Sequence, residues 1–231
     1  MRIAVQTLTW LVWFPLDLLV IAALLRGPYR RFPFVFAYTV AMLFTAVVEV
    51  AAYPGYFPGT RLAHTFAHYY WVDEGIRQGL LFAVVISLVY LATIGARARG
   101  LVRTSLIASA VLFAAISFLI HYDRLAVTSR WMTLCTRDLN FSSALLDLAL
   151  WAILLAARKP DGQLLMLSGA LGIQFTSEAI GQTVRNQFPA ILLAADMTII
   201  AANLACLYIW WHVFRTSPVR NASVPVRSPH V

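Results

Sequence analysis

Seven apolar runs, each long enough to cross a lipid bilayer, are separated by short loops, and this leaves few folds open to the chain. They fall at 4–25, 34–53, 70–94, 104–121, 131–157, 163–184 and 188–214, and a crossing takes about 20 apolar helical residues. Every run is continuous rather than alternating. Backbone in hydrocarbon must satisfy its own hydrogen bonds, so the runs are expected as helices. A soluble fold fails on composition, because 61% of the residues are hydrophobic and 12% charged, with a mean hydropathy of +0.75, against about 25% charged in soluble domains. The first run is too long for a signal-peptide core and has no convincing cleavage site, so it is expected to stay as an anchor. The expectation is an all-α polytopic membrane protein. Residues 1–214 form a seven-helix transmembrane bundle, and 215–231, rich in Pro and Ser, form a disordered tail.

The basic residues set the orientation. Arg26, Arg30, Arg31, Arg97, Arg99, Arg103, Arg158, Lys159, Arg215, Arg220 and Arg227 fall on one side of the predicted bundle, and Arg2, Arg61, Arg124, Arg130 and Arg185 on the other. That bias places the N-terminus outside and the C-terminus in the cytoplasm of a bacterial inner membrane. Aromatics suit the boundaries, with Trp71 and Trp131 near the outer interface and Tyr208, Trp210 and Trp211 near the inner one. The formal charge of +8 is therefore topological. No basic face or recognition motif accompanies it, so no nucleic-acid partner is expected. Cys135 and Cys206 fall inside spans, where a thiol acts as a small apolar group, and the sequon at Asn221 lies on the cytoplasmic side.

The acids carry the functional signal. Of ten Asp and Glu residues, eight lie in or at the edge of predicted spans: Asp17, Glu49, Asp73, Glu74, Asp138, Asp147, Glu178 and Asp196. A charge at a helix centre costs about 2.5–3.5 kcal/mol on insertion scales, so these side chains should be paired, protonated or turned to a wet interior. Helical spacing groups them into seams. Tyr38, Met42, Thr45 and Glu49 share a face, as do Gln174, Glu178, Gln182 and Arg185, while Asn140 and Asp147, and Asp196 and Asn203, are each seven apart. An outward-facing polar, acid-rich pocket is expected, lined by Glu49, Glu74, Arg77, Gln78, Asp147, Gln174, Glu178, Gln182, Asp196 and Asn203. The plainer reading is that the seams are interhelical hydrogen bonds, each about 0.6 kcal/mol.

The stretch HTFAHYYWVDEGIRQ, residues 64–78, opens the third run. His64 and His68 are four apart, and with His121 they form a candidate zinc set with Glu74 as a carboxylate, although no HExxH signature is present. No motif supports a haem. Lys159, the only lysine, lies in a loop, which excludes a retinal Schiff base. The receptor motifs Asp-Arg-Tyr and Asn-Pro-x-x-Tyr are absent, and no hydrolase nucleophile motif occurs. Through YYWVDEG, the Tyr29-Arg-Arg-Phe-Pro33 loop and the seven-run layout, the chain resembles bacterial seven-helix integral membrane proteins of uncharacterised activity. That resemblance implies a fold and no reaction.

Three functions fit. The first is a receptor-like module that senses a small ligand or cation, acting through a cytoplasmic signalling partner or as a homo-oligomer in the bilayer, because the inner halves of the runs look closed to ions. The second is a small-solute or proton- or cation-coupled transporter built as two three-helix bundles. Asp17 to Glu49 spans 32 positions and Asp147 to Glu178 spans 31, each crossing one basic loop, while helix 4 has no interior charge and would serve as a linker. The third is a metal-dependent membrane enzyme.

Overall fold

The computed structural model describes residues 2–52, 61–93, 99–121, 128–156, 161–187 and 192–216. Among them are seven α-helices and no strand: α1 (Arg2–Leu25), α2 (Pro33–Ala52), α3 (Arg61–Ala92), α4 (Arg99–His121), α5 (Thr128–Ala156), α6 (Gly162–Gln187) and α7 (Leu192–Thr216). Five contain a stretch long and apolar enough to cross a membrane, namely Gly75–Ala92, Arg103–His121, Leu134–Ala156, Gly162–Gly181 and Leu192–Thr216. In α1 and α2 the described apolar stretches are Trp10–Leu25 and Pro33–Val48.

Local chemistry explains the boundaries. Gly27 reverses the chain after α1 at φ 140, a conformation that a Cβ disfavours, and Pro33 opens α2, where its missing N–H is no loss. Asp161 caps α6, its Oδ1 accepting from the backbone N–H of Gln163 at 3.0 Å and Leu164 at 3.3 Å. Helix α3 starts at Arg61, well before the expected 70. No Pro or Gly interrupts residues 61–74, so the histidine-bearing stretch continues the helix. At 1.5 Å per residue its 32 residues reach about 48 Å, beyond the ~30 Å hydrocarbon core.

The helices pack as a closed ring in the order α1, α2, α3, α5, α6, α7 and back to α1, while α4 lies outside against α5. The ring divides into two triplets of consecutive helices, α1–α2–α3 and α5–α6–α7. Each triplet has its middle helix against both others, and the triplets meet through two equivalent seams, α3 on α5 and α7 on α1. A shift of 130 residues matches three boundaries to within one residue. It carries Leu25 onto Leu155 beside the end of α5, Pro33 onto Gln163 beside the start of α6, and Arg61 onto the residue before Leu192. The same shift superposes Asp17 on Asp147 and Asp73 on Asn203.

At the end of the ring carrying the α1–α2 and α5–α6 loops, the interior is apolar. Leu24, Phe32, Val35, Leu88, Leu154, Leu164 and Trp210 are buried in one cluster, and the Phe32 and Phe214 rings stand 5.6 Å apart. Arg31 ties the two loops, its Nη2 2.7 Å from Asp161 Oδ2 and its Nη1 donating to Gln163 Oε1 at 3.1 Å. Helix α4 is fastened at its start by Arg103, which donates to the Thr93 hydroxyl at 2.8 Å and the Tyr90 carbonyl at 2.7 Å. Its guanidinium also lies 3.5 Å from the Tyr90 ring centroid, a cation–π contact.

Burial alone would raise the Asp161 carboxyl, but the Arg31 guanidinium and the Leu164 and Gln163 amides more than offset it and hold it below its ordinary value. Such a group stabilises the fold above its unfolded value near 4, and the contribution is lost as pH falls through the folded value. The ion pair is exposed and screened, so the helix cap dominates. Asp161→Ala should lower stability by about 1 kcal/mol at pH 7. Melting in detergent micelles between pH 7 and about 3 should show the gap to wild type closing at the acid end.

Candidate functional site

Above the apolar cluster, the ring is polar inside. Gln78 on α3 donates through Nε2 to Asn140 Oδ1 on α5 at 2.8 Å, and Asn140 donates through Nδ2 to Glu178 Oε2 on α6 at 2.9 Å. All three are buried. The direction of this chain follows from its last member. The Glu178 oxygen accepts, which turns the Asn140 amide nitrogen toward α6 and its oxygen toward Gln78. One asparagine thereby joins the two triplets, since Gln78 belongs to the first and Asn140 and Glu178 to the second.

A second cross-triplet bond lies one turn below Glu178. Gln174 on α6 donates to the Tyr38 hydroxyl on α2 at 2.9 Å, and the Tyr38 ring meets Trp210 of α7 edge-on with centroids 5.9 Å apart. Side chains from α2, α3, α5 and α6 therefore converge on one polar interior, with Trp210 of α7 against it.

Deeper still, Asp147 of α5 accepts from Ser168 Oγ of α6 at 2.8 Å. Its other oxygen occupies the space over Gly172, where a Cβ would stand 2.8 Å from Oδ2. Ser168 and Gly172 are one turn apart and present a small, hydroxyl-bearing face to α5. Toward the opposite end, Thr45 of α2 donates to Asp73 Oδ1 of α3 at 2.6 Å. Outside the ring, Asp138 of α5 takes His121 Nε2 at 2.8 Å and Ser117 Oγ at 3.2 Å on Oδ2, and Arg137 at 3.1 and 3.2 Å on Oδ1. The acids thus have separate partners.

Of the residues picked from sequence, Gln78, Asp147, Gln174, Glu178 and Asn203 are buried, while Arg77 and Asp196 are half-buried. Gln78 and Glu178 are joined through Asn140, and Gln174 lies one turn from Glu178 on α6. The side chains of Glu49, Glu74, Gln182, His64 and His68 lie outside the described residues. His121 binds Asp138, and among the described residues no three His, Cys, Asp or Glu side chains gather as a metal set. Sequence reasoning placed Tyr38 and Asn140 in polar seams without assigning them to the pocket. It passed over Ser168 and Gly172, although the small pair one turn apart on α6 was a readable signal.

Comparison with protein-family models, with curated proteins and with solved structures gave no match. The functional reading rests on the site itself.

Two substitutions probe this interior. Gly172→Ala should displace the Asp147 carboxylate and break its Ser168 bond, lowering stability by about 1–3 kcal/mol, as overpacking does. Asn140→Leu strands the Gln78 amide and one Glu178 oxygen and should also lower stability by about 1–3 kcal/mol. Denaturant titration in mixed micelles measures both.

Proposed function

We propose that the chain is a seven-span, multi-pass protein of a bacterial inner membrane that transports a small polar solute, with a central site between two three-helix units. The observation that carries the reading is the closed six-helix ring of two equivalent triplets whose shared interior is bridged by Gln78–Asn140–Glu178. Parallel repeats meeting around a midplane site are a recurrent transporter plan. The 24 residues of α1 and 20 of α2 amount to about 36 and 30 Å, which supports crossings by these helices as well. The excess of arginine at the apolar end supports a cytoplasmic C-terminus.

Glu178 favours a solute bearing a cationic or amine group, and Tyr38 and Gln174 offer it neutral polar contacts. The apolar cluster below closes the inner end, which suits a transporter caught open to the outer side. The same closure favours a second reading, a receptor-like sensor with this site and no pathway, signalling through a cytoplasmic partner.

Proteoliposomes separate the two. Against a panel of labelled amines, amino acids and small cations, wild type should accumulate at least one solute. Asp147→Asn and Glu178→Gln should each reduce that uptake by about tenfold or more, a loss of ~1.4 kcal/mol or more. Saturable binding without uptake supports the sensor, and neither binding nor uptake across the panel defeats both. A fluorescent protein fused after residue 231 should mature only with the tail in the cytoplasm.

A further inference from the structure

Asp17 stands apart from the acids described above. Its side chain is 0% exposed, and among the described residues neither carboxylate oxygen has a hydrogen-bond partner. The Trp13 indole N–H, one turn away on α1, is likewise buried without a hydrogen-bond partner among the described residues. A bare carboxylate buried in this way is strongly unfavourable. Something must compensate it.

The repeat shows what is missing. The 130-residue shift that carries Asp17 onto Asp147 carries Tyr38 onto Ser168. In the second triplet, Ser168 donates to Asp147. In the first, the hydroxyl at the equivalent position sits at the tip of a tyrosine, and its oxygen accepts from Gln174 across the ring instead. Asp17 has no hydroxyl bonded to it of the kind its counterpart has.

The two helices packed against α1 offer oxygens. Helix α1 packs on α2 and α7. On α7, Asn203 Oδ1 is buried and without a partner among the described residues. On α2, the hydroxyl of fully buried Thr39 donates to the Val35 and Phe36 carbonyls, which leaves its oxygen free to accept. At 1.5 Å per residue, Asp17 lies about 12 Å above Leu25, Thr39 about 10 Å above Phe32, and Asn203 about 16 Å above Phe214. Phe32 and Phe214 are in contact, so Thr39 and Asn203 stand within about a turn of one depth, on the two helices that flank α1. One carboxylate with neutral oxygens matches a single positive charge.

We propose that Asp17 holds a small monovalent cation, a proton or an alkali ion, between α1, α2 and α7, with Thr39 and Asn203 as neutral oxygen ligands. Helices α2 and α7 also wall the central site, through Tyr38 and Trp210, so cation and solute would act on the same two helices. That coupling rests on the transport reading, whereas cation binding does not.

The test uses purified full-length protein, with sodium chloride against N-methylglucamine chloride. If the ion is alkali, sodium raises the wild-type Tm by about 3 °C or more, Asp17→Asn abolishes the response and Glu178→Gln retains it. If the ion is a proton, sodium is silent and the infrared spectrum shows a protonated-carboxyl stretch that Asp17→Asn removes. Should Asp17→Asn fail to fold, Asp17→Glu keeps a carboxyl and is expected to shift the same signal. Wild type with neither a sodium response nor a protonated carboxyl overturns the proposal, as does either signal surviving in Asp17→Asn. Wild type that shows the cation response yet accumulates no solute in proteoliposomes would count against the transport reading alone.

Discussion

A hydrogen-bonding group in the interior of an apolar bundle has no water to fall back on, and this constraint organises the molecule. Each buried amide and carboxylate must find its complement on another helix, so the complements dictate which helices touch. Asn140 shows the consequence most directly. Its amide is both donor and acceptor, and by serving Gln78 on one side and Glu178 on the other it holds three helices at fixed spacing. Apolar contacts elsewhere in the ring are permissive by comparison, because in lipid a leucine is nearly as well solvated by acyl chains as by another leucine.

Much of this was legible in the sequence because helical periodicity reports faces. The spacing of Tyr38, Met42 and Thr45 marked the inward side of α2, and in the structure the first two are buried while the third reaches Asp73. Gln174 with Glu178, and Asn140 with Asp147, were likewise placed on shared faces, and all four are buried. Periodicity does not name the neighbour. Nothing in the sequence of α5 says that Asn140 meets α3 as well as α6, whereas the lack of interior charge in α4 did mark it as a linker. Helix α3 begins earlier than its apolar run, since a hydropathy boundary marks where lipid is expected to begin and the backbone helix ignores it.

The two triplets share an architecture and differ in chemistry. Asp147 and Asp17 occupy equivalent steps, yet one is served by a serine and small neighbours, while in the other triplet the position equivalent to that serine is a tyrosine bonded to Gln174. Ser in one triplet and Tyr in the other thus put the hydroxyl of one position to two uses: on the carboxylate of the same triplet, or on an amide across the ring. Such asymmetry lets one scaffold carry two unlike sites.

The peripheral place of α4 has a consequence for threading. Helices run alternately up and down, so three helices end on the side opposite to their start, and a second triplet joined directly would be upside down relative to the first. One additional crossing restores parity, and the pseudo-dyad then stands along the bundle axis instead of across it. For that duty α4 needs only length and secure ends, which Arg103 and His121 supply. Its outward side chains, Val111, Leu112, Ile116 and Leu119 among them, are free to drift among greasy residues without disturbing the ring.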